Sequence, residues 1–184
     1  DEVFRTAFYQ RHNVAISTGT DTFTNRLSFA YDNDEGIMRY TFNKNLALHY
    51  TGKYQINKWV SISEDFVWKN TESRTTATNE GYTGPILSAI YMPASATVYS
   101  PFTKSGFGGT TTEDPKYIAT YGNNFADAHG DAVNPINTLS SKNIFDRTND
   151  AWSTTSLEIA NVLPGLKFVS RFTYNLQSNF YKGF

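Results

Sequence analysis

Cysteine is absent from the chain, which removes a disulfide scaffold and any thiolate zinc site while leaving the compartment open. Also missing is any apolar run of the ~18 residues that a membrane-crossing helix needs. A membrane location would therefore have to rest on strands, whose apolar residues alternate and whose mean hydropathy stays modest. Charge is scarce and balanced: charged residues make up 18% of the chain and the net charge is -1. That leaves no broad basic field to hold nucleic acid and no acidic block to act as a solvated tail, so nucleic acid is not an expected partner. The opening DEVFRTAFYQ lacks the basic, apolar and cleavage regions of a signal peptide, and the chain is expected to be an internal segment of a longer protein.

Large rings are what the chain has in excess. Within 184 residues there are 14 Phe, 12 Tyr and 3 Trp, a composition that favours sheet over helix. Residues 12–19 set His12, Val14, Ile16 and Thr18 against Asn13, Ala15, Ser17 and Gly19. After Thr20, Asp21 and Thr22, residues 23–31 set Phe23, Asn25, Leu27, Phe29 and Tyr31 against Thr24, Arg26, Ser28 and Ala30, which makes 12–31 a hairpin. The DNDEG stretch at 32–36 is expected to turn the chain. Residues 37–51 then align Met38, Tyr40, Phe42, Leu46, Leu48 and Tyr50, interrupted by Lys44. A turn over 55–58 leads to 59–69, where Val60, Ile62, Phe66 and Trp68 share a face that Glu64 interrupts. Such strands exceed the ~5–6 residues usual in globular proteins and reach the ~9–11 that cross a bilayer at a tilt.

From Asn70 to about Asp150 the alternation stops and Gly, Thr, Ser, Asn, Asp and Pro dominate. Roughly 80 residues without period are out of place in a compact soluble domain but suit an extracellular loop on an outer-membrane barrel. Inside it, the apolar run of GPILSAIYMPASATVYSP predicts a short helix ending before Pro93. Strand grammar returns over about 152–176, with Pro164-Gly165 supplying a turn between two strands. The turns near 21, 57 and 164 then share one side, with the longer connections on the other.

Chemical sites fare poorly. Asp32, Asp34 and Glu35 offer oxygen ligands, but their spacing is not that of an EF-hand loop, and a solvated turn is the better reading. Asp127, His129 and Asp131 lack further ligands, and SGFGGT at 105–110 follows no strand-to-helix pattern that would cradle phosphate. His12, His49 and His129 are scattered, and no nucleophile with a nearby base can be named, so no cofactor, metal or enzymatic activity is expected. On the residues alone, a soluble secreted or periplasmic β-sandwich that binds glycans through an aromatic-cored fold fits as well as a barrel.

An ordered series of segments separates the two. HNVAISTGTDTFTNRLSFAYDNDEGIM resembles a barrel segment of the SusC/RagA family of TonB-linked outer-membrane proteins, in which strand, tight turn, strand and acidic turn follow in the same order. NLALHYTGKYQINKWVSISEDFVWKNT resembles the next hairpin of that family, with its tryptophan-led return strand. IYMPASATVYSP and the Asn134-Pro135 pair resemble the following loop, and NVLPGLKFVSRFTYN the hairpin after it.

The resemblance implies an all-β fold: about six strands of a large antiparallel transmembrane barrel of about twenty-two strands, with one long extracellular loop over about 70–150. The plug and the TonB-contact segment that such proteins carry have no counterpart in this sequence. It further implies import of oligosaccharides or peptides together with a SusD-like surface lipoprotein, energised by TonB. On that footing Tyr40, Tyr50, Trp59 and Trp68 are candidates for the aromatic girdles at the membrane interfaces. In the long loop, Tyr82, Tyr91, Tyr99 and Phe107 are candidates to touch substrate, while the loop can equally meet the lipoprotein.

Overall fold

In an extended chain successive side chains point to opposite faces, so long stretches that alternate ring or aliphatic with small polar residues commit to a sheet with two unlike faces. The computed structural model describes residues 2–76, 84–91, 98–99, 134–141 and 144–183. They hold six strands in one antiparallel sheet, ordered as in sequence. The strands are β1 (Tyr9–Gly19), β2 (Phe23–Glu35), β3 (Phe42–Gln55), β4 (Val60–Thr75), β5 (Ile144–Ala160) and β6 (Lys167–Gly183). Two short helices, α1 (Pro85–Tyr91) and α2 (Pro135–Ser141), lie between β4 and β5.

Short turns close one end. Thr20 donates its N–H to the Phe23 carbonyl at 2.6 Å, and its hydroxyl accepts from Phe23 N–H at 3.1 Å. Asn57 accepts from the N–H groups of Trp59 and Val60 at 2.9 and 3.0 Å, a side-chain turn of the Asx kind. At the third, Leu166 donates to the Leu163 carbonyl at 3.0 Å, with Pro164 and Gly165 between them and Gly165 at φ 79. Pro then Gly at positive φ is the signature of a type II turn.

The other end differs from the sequence reading. Asp32, Asn33, Asp34 and Glu35 are not a turn: they pair with Asn45 through Phe42 on β3, and Asp32 to Asp34 also pair with Arg11, Gln10 and Tyr9 on β1. The turn lies at 36–41, where Gly36 donates to the Thr41 carbonyl at 2.9 Å and Tyr40 adopts φ 67. Residues 37–41, Tyr40 among them, therefore precede β3. The long connection is also shorter than the fading alternation implied, because β4 runs on to Thr75 and β5 begins at Ile144. Polar residues can extend a strand when a partner fixes their ladder hydrogen bonds, whatever their own pattern. The expected helix before Pro93 is α1; α2 was not foreseen. Its Asn134 cap accepts from Ile136 and Asn137 N–H at 3.0 and 3.1 Å, with Pro135 in the first helical position.

Among the described residues, buried apolar packing is confined to the 36–41 end. Val3, Ile136 and Leu139 form a small core against which Met38, Ala89 and Val98 pack. It is held to the sheet by the N-terminal segment, where Arg5 donates to the Ile37 carbonyl and Arg39 to that of Val3. No second sheet covers the six strands among the described residues.

Candidate functional site

Register assigns every strand residue to one of two faces. Opposite residues share a face, so the row Val14, Phe29, Leu48, Trp68, Ala151 and Leu176 runs straight across the sheet. The next row of the same face reads Ile16, Leu27, Tyr50, Phe66, Ser153 and Tyr174. The face is open: Ile16 keeps 67% and Phe172 69% of its surface accessible. A band this wide, uncovered by any layer among the described residues, marks an interaction surface and not a core.

The band is also slanted. On β2 and β3 it begins at Tyr31 and Leu46; on β4 and β6 it begins one pleat lower, at Trp68 and Leu176, and runs down to Val60 and Phe168. Glu64 sits inside the band, opposite Gly52 and Thr155. Its two oxygens accept from the hydroxyls of Ser153 at 2.5 Å and Thr155 at 2.6 Å, which offsets part of the cost of a carboxylate there.

The opposite face is polar from edge to edge: Arg11, Asp32, Asn45, Thr71 and Thr148 toward the long-connection end, and Arg26, Lys53, Ser63, Ser156 and Arg171 toward the short turns. It carries a hollow of about 600 Å³, walled by Lys53, Asp65, Trp152, Thr154 and Arg171 among others. Asp65 accepts from His49 at 3.1 Å, and Arg11 is paired with Asp32 at 2.6 Å. Such a surface can hold water, a polar protein segment or a polar solute.

The proposed girdle residues separate. Trp59 lies in the short turn before β4, with the Lys58 ammonium 4.4 Å from its ring centroid, and Tyr40 lies at the other end under the Arg74 guanidinium at 5.5 Å. Tyr50 and Trp68 occupy the middle of their strands on the apolar face, Trp68 where the band begins on β4. Phe23 and Tyr54, 6.4 Å apart, lie at the short-turn end of the band on β2 and β3, and Phe145 and Phe180, 6.3 Å apart, lie beyond its other end on β5 and β6. Of the substrate-contact candidates, Tyr91 ends α1 and Tyr99 follows Val98, both exposed; Tyr82 and Phe107 lie outside the described residues. So do Asp127, His129, Asp131 and residues 105–110. Asp32 and Asp34 project from the polar face and Glu35 from the apolar one, so the three cannot converge on one ion. Trp152, alone among large rings in the hollow, escaped the sequence reading because its neighbours Ser153, Thr154 and Thr155 give no contrast.

Neither protein-family models nor curated proteins yield a match to this chain. Among solved structures it is similar to one described as the "Structure of the RagAB peptide importer in the 'closed-closed' state". The TM-score is 0.61 with 14% sequence identity, over 97% of this chain and 18% of that one. The likeness is one of fold, and this chain spans less than a fifth of its neighbour's length.

Proposed function

We propose that this chain is a stretch of the wall of a TonB-dependent outer-membrane importer of the SusC/RagA kind. The observation that carries the reading is the two-faced sheet: a slanted, uncovered apolar band on one side and a continuous polar surface on the other. In a bilayer the band meets lipid, every ladder hydrogen bond is made between strands, and the polar face turns toward the barrel interior. Strands of 11 to 17 residues are long enough to cross and project beyond the membrane.

The sheet order β1 to β6 leaves β1 and β6 as edges, and β6 is exposed along its whole length. Open edges of that length are an aggregation hazard in an isolated protein, so further strands of a longer chain are expected on both sides. Transport on this reading needs no covalent step. The polar face contacts plug and water, the TonB complex acts through other parts of the protein, and a SusD-like lipoprotein meets the long connection. Between the two substrate classes, the fold likeness to a peptide importer favours peptides over oligosaccharides.

Intact mass and detergent partitioning of the source protein test this. The expected result is a species several times the 20.7 kDa of this chain, recovered only in detergent extract. A soluble species of 20.7 kDa would overturn the proposal.

A further inference from the structure

At the long-connection end of the apolar face, just beyond the band, the fold gathers cations that are distant in sequence. A hollow of about 510 Å³ is lined by Arg5, Arg39, Lys44 and Arg74 against a single carboxylate, Glu35. Glu35 is engaged by Arg5 at 3.5 Å, and Arg39 reaches Glu2 at 3.7 Å. Lys44 stands opposite Glu72, whose carboxylate is paired with Arg147 at 2.6 Å, and lies 5.0 Å from the Phe42 ring centroid, while Arg74 donates Nη2 to the Ser140 carbonyl at 3.2 Å. Among the described residues the Nε donors of Arg39 and Arg74 are buried without a hydrogen-bond partner. Buried donors of this kind are costly unless an acceptor completes them.

Position narrows the choice of acceptor. Lys44 and Asn33 pair with each other one pleat beyond Leu46 and Tyr31, the first residues of the band. An anion held in the hollow therefore sits directly over apolar surface that can carry a hydrocarbon chain. We propose that this hollow binds the phosphorylated headgroup of a membrane lipid, with its acyl chains lying along Tyr31, Leu46 and Leu48. Arg74 and Lys44 supply the charge, Tyr40 and Phe42 the interfacial rings. The inference rests on the apolar face being lipid-facing.

The test uses the full-length protein in detergent micelles, challenged with phosphatidylglycerol, with zwitterionic phosphatidylcholine, or with inorganic phosphate, and read by native mass spectrometry. Phosphatidylglycerol is expected to be retained preferentially, and Lys44→Gln with Arg74→Gln to lower that preference about thirtyfold. Lys69→Gln, which removes one positive charge from the polar face as Lys44→Gln does from the apolar one, is expected to leave it unchanged. Should the double variant fail to fold, Lys44→Gln alone is expected to lose about fivefold. Equal retention of both lipids, an unchanged preference in the variants, or displacement of the lipid by millimolar phosphate would overturn the assignment. A source protein that proves soluble would instead overturn the barrel reading on which it rests.

Discussion

The substitution Leu48→Arg puts the two-faced sheet to its hardest test. Leu48 lies in the middle of β3, flanked across the ladder by Phe29 and Trp68 on the apolar face. An arginine at the midplane of a lipid-facing barrel surface costs ~2–4 kcal/mol, falling to ~0–1 near the interfaces. At 1.4 kcal/mol per decade, that lowers the folded-to-unfolded ratio roughly 30- to 1,000-fold. The neighbouring His49→Arg changes the polar face at the same depth and is expected to cost less than about 0.5 kcal/mol, the range of surface substitutions. A depth series completes the experiment: arginine at Leu46, Leu48 and Tyr50 on β3, each in the full-length protein refolded into lipid vesicles and titrated with denaturant. The cost is expected to peak near the centre of the band and decline toward Lys44, where a cation already stands. Equal costs for Leu48→Arg and His49→Arg, or a profile flat with depth, would refute the assignment of the two faces.

Other consequences follow from the turns and the cap. Gly165 sits at φ 79, so Gly165→Ala is expected to destabilise by ~1 kcal/mol in the same titration, while leaving the faces of β5 and β6 unaltered by cysteine-accessibility labelling. A Cβ on Gly36 would collide with the Thr41 hydroxyl, and Gly36→Ala is expected to cost ~1–3 kcal/mol. Removing the α2 cap with Asn134→Ala is expected to cost ~1 kcal/mol of local stability, read as faster hydrogen exchange at Ile136 and Asn137 and not in the strands.

Much of the fold was legible because the pleat is a local property. Val14, Ile16, Leu27, Phe29, Leu46 and Leu48 announce their face by alternation alone, and Pro164-Gly165 announces its turn by the backbone angles those residues favour. The ends of strands were not legible in this way. Asp32 to Glu35 look like a turn because acidic and amide residues favour one, yet pairing with β1 and β3 holds them extended. Likewise the first half of β5, from Ile144 to Asp150, has little contrast of its own and is fixed by its partners Thr75 to Lys69. The mid-strand placement of the girdle candidates Tyr50 and Trp68 was hidden for a related reason: where a ring sits along its strand depends on how far that strand runs.

The sequence by itself determined that this protein is built from long two-faced strands joined by short turns at one end, since a side-chain period of two follows from the extended backbone and needs no partner. Only the tertiary structure decided how far each strand runs, which rings border the apolar band, and that Arg5, Arg39, Lys44 and Arg74 meet in one hollow. Those features depend on register between segments far apart in the chain, and register is set by ladder hydrogen bonds and cross-strand packing that no local pattern contains.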